Sequence, residues 1–198
     1  MIEIDFKVIS YWEKDPLTIE FDATRQVSFS KVKIEQLLDW LCNNPGYFQC
    51  GYTIDINNQP WNGFFNEEIK ENNYLIDHSG GALSFLRAVT ELANGNWRIG
   101  KTRSNIWQTD GSEMSLECLP DGKLIIEDRA YHLNPIILDW SLFLTKFTQA
   151  TQYYIACMNK VLNLSTQENK KKIRHIISES EDISILYEKL KTHSKNAR

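Results

Sequence analysis

The sharpest local grouping of chemistry-bearing residues in the chain is Asp77-His78-Ser79-Gly80-Gly81. A glycine-rich turn that opens a helix presents free backbone N–H groups and suits an anion. A pocket lined by Asp77, His78 and Arg87 would mark such a ligand site. The spacing matches neither GxxxxGK[ST] nor GxGxxG, so it encodes neither a P-loop nor a dinucleotide turn. Adjacent Asp, His and Ser are not a triad either, because triad members converge in space and sequence neighbours rarely do. A strand-to-helix turn in which His78 or Ser79 caps the helix is the plainer expectation, and it outweighs the anion site.

The remaining nucleophiles and metal ligands are dispersed. His78, His132, His175 and His193 form no HxxxH, and Cys42, Cys50, Cys118 and Cys157 form no CxxC. Zinc needs ligands at clustered spacings, so neither metal nor cofactor is expected. Scattered cysteines of this kind are expected as buried thiols rather than as a Cys42–Cys50 disulfide. The acid pairs Glu67-Glu68 and Glu127-Asp128 read as solvated faces or turns, since glycosidase carboxylates must stand across a cleft.

Two segments carry cations. Trp97 to Arg103 with Trp107 interleaves bases and aromatics in the manner of a single-strand nucleic-acid groove. Three cations make a small footprint, so nucleic acid is not the expected partner. Lys170, Lys171 and Lys172, with Arg174 and His175, read as the solvated face of an amphipathic helix. Trp61, Phe64 and Phe65 lie in a polar, turn-rich stretch followed by Glu67, Glu68 and Glu71. These aromatics either tuck beneath their own loop or stand out as interface anchors.

Charge is unevenly placed. Residues 1–95 hold 7 Lys and Arg against 14 Asp and Glu, a net −7; residues 165–198 hold 8 against 5, a net +3. An acidic half repels nucleic acid and attracts basic partners. The acidic opening Met1-Ile2-Glu3-Ile4-Asp5 lacks the basic and then apolar run of a secretory leader. No apolar run reaches the roughly 18 residues of a membrane span. A cytoplasmic location with no membrane partner is therefore expected.

The elements that would position these groups follow from periodicity. Ile2, Ile4, Phe6 and Val8 alternate with Glu3, Asp5 and Lys7, which predicts a half-buried strand. Further strands are predicted at Thr18–Phe21, Gly51–Ile56 and Tyr74–Ile76. Ser30 is expected to cap a helix carrying Ile34, Leu37, Leu38 and Leu41, and a second helix runs from about Gly81 to Asn94, stopped by Gly95. A meander follows over Trp97–Thr102, Ile106–Thr109, Glu113–Leu119 and Lys123–Asp128, with turns at Asp110-Gly111 and Pro120-Asp121-Gly122. Asn134-Pro135 is expected to open the longest helix, with Ile136, Trp140, Phe143, Phe147, Tyr154, Cys157 or Met158, and Val161 on its apolar stripe. Ser165 to Glu168 reads as a capping box, and Asp182 as the cap of a last helix. Residues 191–198 read as a frayed tail.

These elements amount to an α+β protein: an N-terminal mixed sheet with two helices and a β-meander, followed by a helical C-terminal third. One domain of 198 residues is expected. With no catalytic constellation assembled, the leading expectation is a non-catalytic protein-binding module. More narrowly, it is an immunity- or antitoxin-like inhibitor of a basic toxin enzyme. The alternative is a small enzyme or anion-binding domain centred on His78 to Gly81.

Overall fold

The computed structural model describes residues 1–9, 26–43, 45, 49–57, 59–60, 80–95, 103–107, 113–128 and 135–196. The class is α+β. Alternation in the first strand places Ile2, Ile4, Phe6 and Val8 on one buried face, with Glu3, Asp5 and Lys7 on the other. This strand, β1 (Ile2–Ile9), is antiparallel to β2 (Gln26–Ser28) and to β3 (Gln49–Ile56), and β3 pairs with β4 (Gln59–Pro60). The order is β2-β1-β3-β4. Over the described residues this N-terminal sheet is thus antiparallel rather than mixed.

A second antiparallel sheet has the order β5-β6-β7-β8, built from β5 (Arg103–Trp107), β6 (Glu113–Cys118), β7 (Lys123–Asp128) and β8 (Ile136–Asp139). The turn between β6 and β7 forms because Gly122 takes φ +81°, a conformation side chains disfavour. Asp121 then accepts the Lys123 N–H through its carboxylate.

The helices are α1 (Ile34–Asn43), α2 (Gly80–Ala93), α3 (Trp140–Leu164), α4 (Gln167–Lys172) and α5 (Arg174–Asn196). No described helix is long and apolar enough to cross a membrane. α2 stops as expected at Gly95, whose φ of +75° lets its N–H reach the Leu92 carbonyl. α3 lies against β1, α1 and α5, while α2 meets α5, β5 and β3. One buried apolar cluster runs from Phe6, Tyr52 and Ile54 of the first sheet to Leu116, Leu124 and Ile126 of the second.

Several helix ends differ from the sequence expectation, each for a local reason. Pro135 does not open a helix: residues 136–139 form β8, because the β-branched Ile136 and Ile137 pair with Ile126 and Ile125 of β7. The helix begins at Trp140, where Asp139 accepts the Leu142 N–H at 2.8 Å. The expected N-terminal role therefore falls to Asp139, the last residue of the strand. Ser30 does not cap α1; its hydroxyl bonds to that of Ser28 at 2.7 Å.

Ser165 is the C-cap of α3, its hydroxyl bonded back to the Val161 carbonyl, and Thr166 caps α4 by accepting the Asn169 N–H. The Ser165–Glu168 capping box is therefore absent. Asp182 caps nothing, because α5 continues through it; Ile176, Ile183 and Leu190 hold one face of that helix in the core on either side. Buried contact on both flanks outweighs a local capping preference. The predicted strands at Thr18–Phe21, Tyr74–Ile76 and Trp97–Thr102 lie outside the described residues.

On α3, Phe143, Phe147, Tyr154 and Val161 are fully buried, and Trp140 is half-buried. Replacing Phe147 with Ala should cost about 3–5 kcal/mol, the range for emptying a buried aromatic site. Asp139→Ala should cost about 1 kcal/mol through the lost cap. Denaturant unfolding of both variants, read by far-ultraviolet circular dichroism, checks the two values and their ranking.

Candidate functional site

Most of the residues singled out by chemistry are not brought into a described site. Trp61, Phe64, Phe65, Glu67, Glu68 and Glu71 lie outside the described residues, as do Asp77, His78 and Ser79. Gly80 and Gly81 form the first turn of α2. Arg87 is exposed seven residues further on, about 10 Å along the helix axis.

The thiols are core atoms. Cys50, Cys118 and Cys157 are buried and Cys42 is half-buried; all four are free, so Cys42 and Cys50 are not bridged. Burial pushes the Cys118 and Cys157 thiols up to about 12, and burial together with the Glu179 carboxylate raises the Cys50 thiol well above its ordinary value. A thiol held protonated is a poor nucleophile. Among the described residues no group of three or more His, Cys, Asp or Glu could hold a metal. His175 donates from Nε2 to the Pro45 carbonyl at 2.9 Å, tying α5 to the end of α1. The Lys170–Lys172 run is solvated as expected, with Lys172 pairing with Glu168 one turn earlier at 3.3 Å.

The polar groups that do converge belong to a different place. β2 covers only Lys7 to Ile9 of β1, and the chain turns away at Phe29. Where β2 ends, a hollow of about 470 Å³ opens between β1 and α3. Its floor is Ile4, Asp5 and Ser28, and α3 contributes Lys146, Gln149 and Tyr153. Glu3 and Asp55, which face each other across β1 and β3, border it, as do Lys7 and Lys31.

At the centre is a hydrogen-bonded chain. Asp5 Oδ1 accepts from its neighbour's backbone, Phe6 N–H, and from Ser28 Oγ, each at 2.8 Å. Ser28 Oγ has only one proton, which it gives to Asp5, so Ser30 Oγ is the donor in the 2.7 Å Ser28–Ser30 contact. Ser30 N–H adds a further bond to Ser28 Oγ. Desolvation raises the Asp5 carboxyl above its ordinary value, against the Ser28 bond and the charges of Lys7 and Lys31. The chain holds these groups to one another, and among the described lining residues there is no imidazole to take a proton from either serine.

This cluster was foreshadowed only by the polar phase of the Ile2–Val8 alternation. No spacing rule ties Asp5 to Ser28 or either to Lys146, since they meet through strand pairing and helix packing. Comparison with protein-family models, curated proteins and solved structures finds no match.

Two outcomes follow. Iodoacetamide at mildly alkaline pH should label Cys42 first and reach Cys50, Cys118 and Cys157 only on unfolding, as read by peptide mass spectrometry. Glu179 supplies a pH test: its Oε1 is buried without a hydrogen-bond partner, and desolvation raises its carboxyl above the ordinary 4.5. His175 opposes that rise and Asp182 reinforces it. A raised acid binds its proton more tightly in the native state, so its destabilising effect is absent below 4.5 and grows as pH climbs to the folded value. Glu179→Gln should remove that loss, making the variant relatively more stable at pH 7 than at pH 4 in paired unfolding curves.

Proposed function

We propose that this chain is a non-catalytic protein-binding module, and more narrowly an immunity- or antitoxin-like inhibitor that neutralises a basic toxin enzyme in the cytoplasm. The observation that carries the reading is the net −7 of residues 1–95, set against the net +3 of residues 165–198. Such polarity speeds encounter with a basic surface, while buried aromatic contacts slow release. Glu67, Glu68 and Glu71 supply charge beside the aromatics Trp61, Phe64 and Phe65. The burial of three thiols and the mutual hydrogen bonds of the Asp5–Ser28–Ser30 chain lend support to binding over turnover.

The alternative, a small enzyme or anion-binding domain around Asp77, His78, Ser79, Gly80, Gly81 and Arg87, has less in its favour. Only the helix start at Gly80 and the exposed Arg87 are described there.

The test begins with affinity capture by the purified chain, followed by surface plasmon resonance on the captured protein. A basic enzyme, inhibited in proportion to the complex formed, is expected. Replacing Glu67, Glu68 and Glu71 with Gln should slow association about tenfold at low salt and flatten its salt dependence. Trp61→Ala should chiefly speed dissociation. An acidic partner, or association indifferent to both salt and the three substitutions, would overturn the reading.

A further inference from the structure

The hollow beside β1 combines a strand edge that is unpaired among the described residues, a helix wall and charged side chains. The Phe6 carbonyl accepts the Phe29 N–H, and the Met1 carbonyl accepts the Asn57 N–H of the opposite neighbour. Backbone groups of successive residues in a strand turn to opposite neighbours. Even-numbered residues of β1 therefore face the β2 side, and Ile4 directs its N–H and carbonyl to the position that β2 has already left. Among the described residues no strand pairs with Ile2 to Phe6 on that side. A strand edge next to a helix is the arrangement into which an extended peptide adds as a further strand.

The side chains say what kind of peptide. Glu3 and Asp55 face each other at one end of the strand and Lys7 stands four residues along it, while Lys31 and, from α3, Lys146 also line the hollow. Along the strand, Glu3 and Lys7 are about 13 Å apart. Among the described residues, none of these five charges is in an ion pair. Asp5, Ser28 and Ser30 are already held to one another between the two ends. Tyr153, 43 % exposed, adds a rigid aromatic surface, and Gln149 donates to its hydroxyl at 3.2 Å.

We infer that this hollow binds an extended segment of a partner protein, laid along β1 in line with β2, with a basic side chain at Glu3 and Asp55 and an acidic one at Lys7. This deepens the protein-binding reading and rests on it, but not on the segment around Trp61 or on the partner being a toxin. The backbone edge supplies affinity without regard to sequence. The two charged ends set direction and register, since a reversed segment places like charges together.

The test uses acetylated, amidated heptapeptides of alternating Thr and Val, carrying Lys and Glu four residues apart in either order. Binding to the full chain is followed by amide chemical shifts. One charge order is expected to shift Ile4, Asp5, Ser28 and Gln149 and to slow exchange of the Ile4 amide, and the reverse order to bind less well. Methylating the peptide nitrogens that face β1 should abolish binding. Glu3→Lys, at an exposed position, should weaken the preferred peptide about fivefold and improve one with Glu in place of Lys.

Failure of every peptide to perturb these amides at millimolar concentration overturns the inference. So does binding that survives methylation, or equal shifts from inorganic phosphate alone, which would reduce the hollow to an anion site on its lysines. Repeating the partner capture with Glu3→Lys separates the two claims. Undiminished capture alongside peptide failure removes this site and leaves the protein-binding reading standing, whereas capture of no protein by the unaltered chain removes both.

Discussion

The contact on which the rest of the structure depends is an aromatic clamp between the first sheet and α3. Phe6 and Tyr52, neighbours across β1 and β3, meet edge to face with centroids 4.4 Å apart. Tyr154 stacks on Phe6 at 4.4 Å and Phe147 on Tyr52 at 4.5 Å, so two aromatics of one helix, seven residues apart, grip two adjacent strands. Phe85 of α2 then meets Phe147 edge-on, carrying the contact toward the second sheet. Rings of this size bury much apolar area and prefer these offset and edge-on geometries. The clamp also has to satisfy a buried phenol. Thr151 gives its own proton to the Phe147 carbonyl, so it accepts from Tyr52 OH at 2.8 Å. Burial holds both tyrosines protonated.

That clamp places the hollow. With Phe147, Thr151 and Tyr154 turned to the sheet, helical geometry turns Lys146, Gln149 and Tyr153 toward its border. The buried phase of β1 likewise puts Glu3, Asp5 and Lys7 on the opposite phase of the strand. The polar residues are thus positioned by the apolar ones, and the short β2 leaves their edge without a paired strand among the described residues. A longer β2 would have covered Ile4 and closed the site.

Helix boundaries follow the same hierarchy. Asp139 serves as the end of a strand and the cap of a helix because β8 pairs with β7 up to that residue. Trp140 N–H adds a bond to the Gly122 carbonyl, so the β6–β7 turn and the start of α3 are held together. Local signals at Asn134-Pro135 and Asp182 are real preferences of about a kcal/mol. Strand pairing and the buried face of α5 add more than that, and they decide the ends.

By itself the sequence determined the strands and helices whose apolar period is carried by consecutive side chains. The Ile2–Val8 alternation, the stripe from Phe143 to Val161, the Leu86 and Val89 face and the Gly95 and Gly122 stops all depend on neighbours a few residues away. It also determined the charge imbalance and the absence of clustered metal-ligand spacings. Tertiary structure alone decided what depends on distant partners. The division of the strands into two sheets, the conversion of residues 136–139 from helix to strand and the continuity of α5 each need a surface contributed from elsewhere in the chain. The hollow needs it most: Asp5, Ser28 and Lys146 span 141 positions in sequence and meet only because the aromatic clamp seats α3 on β1 where β2 stops.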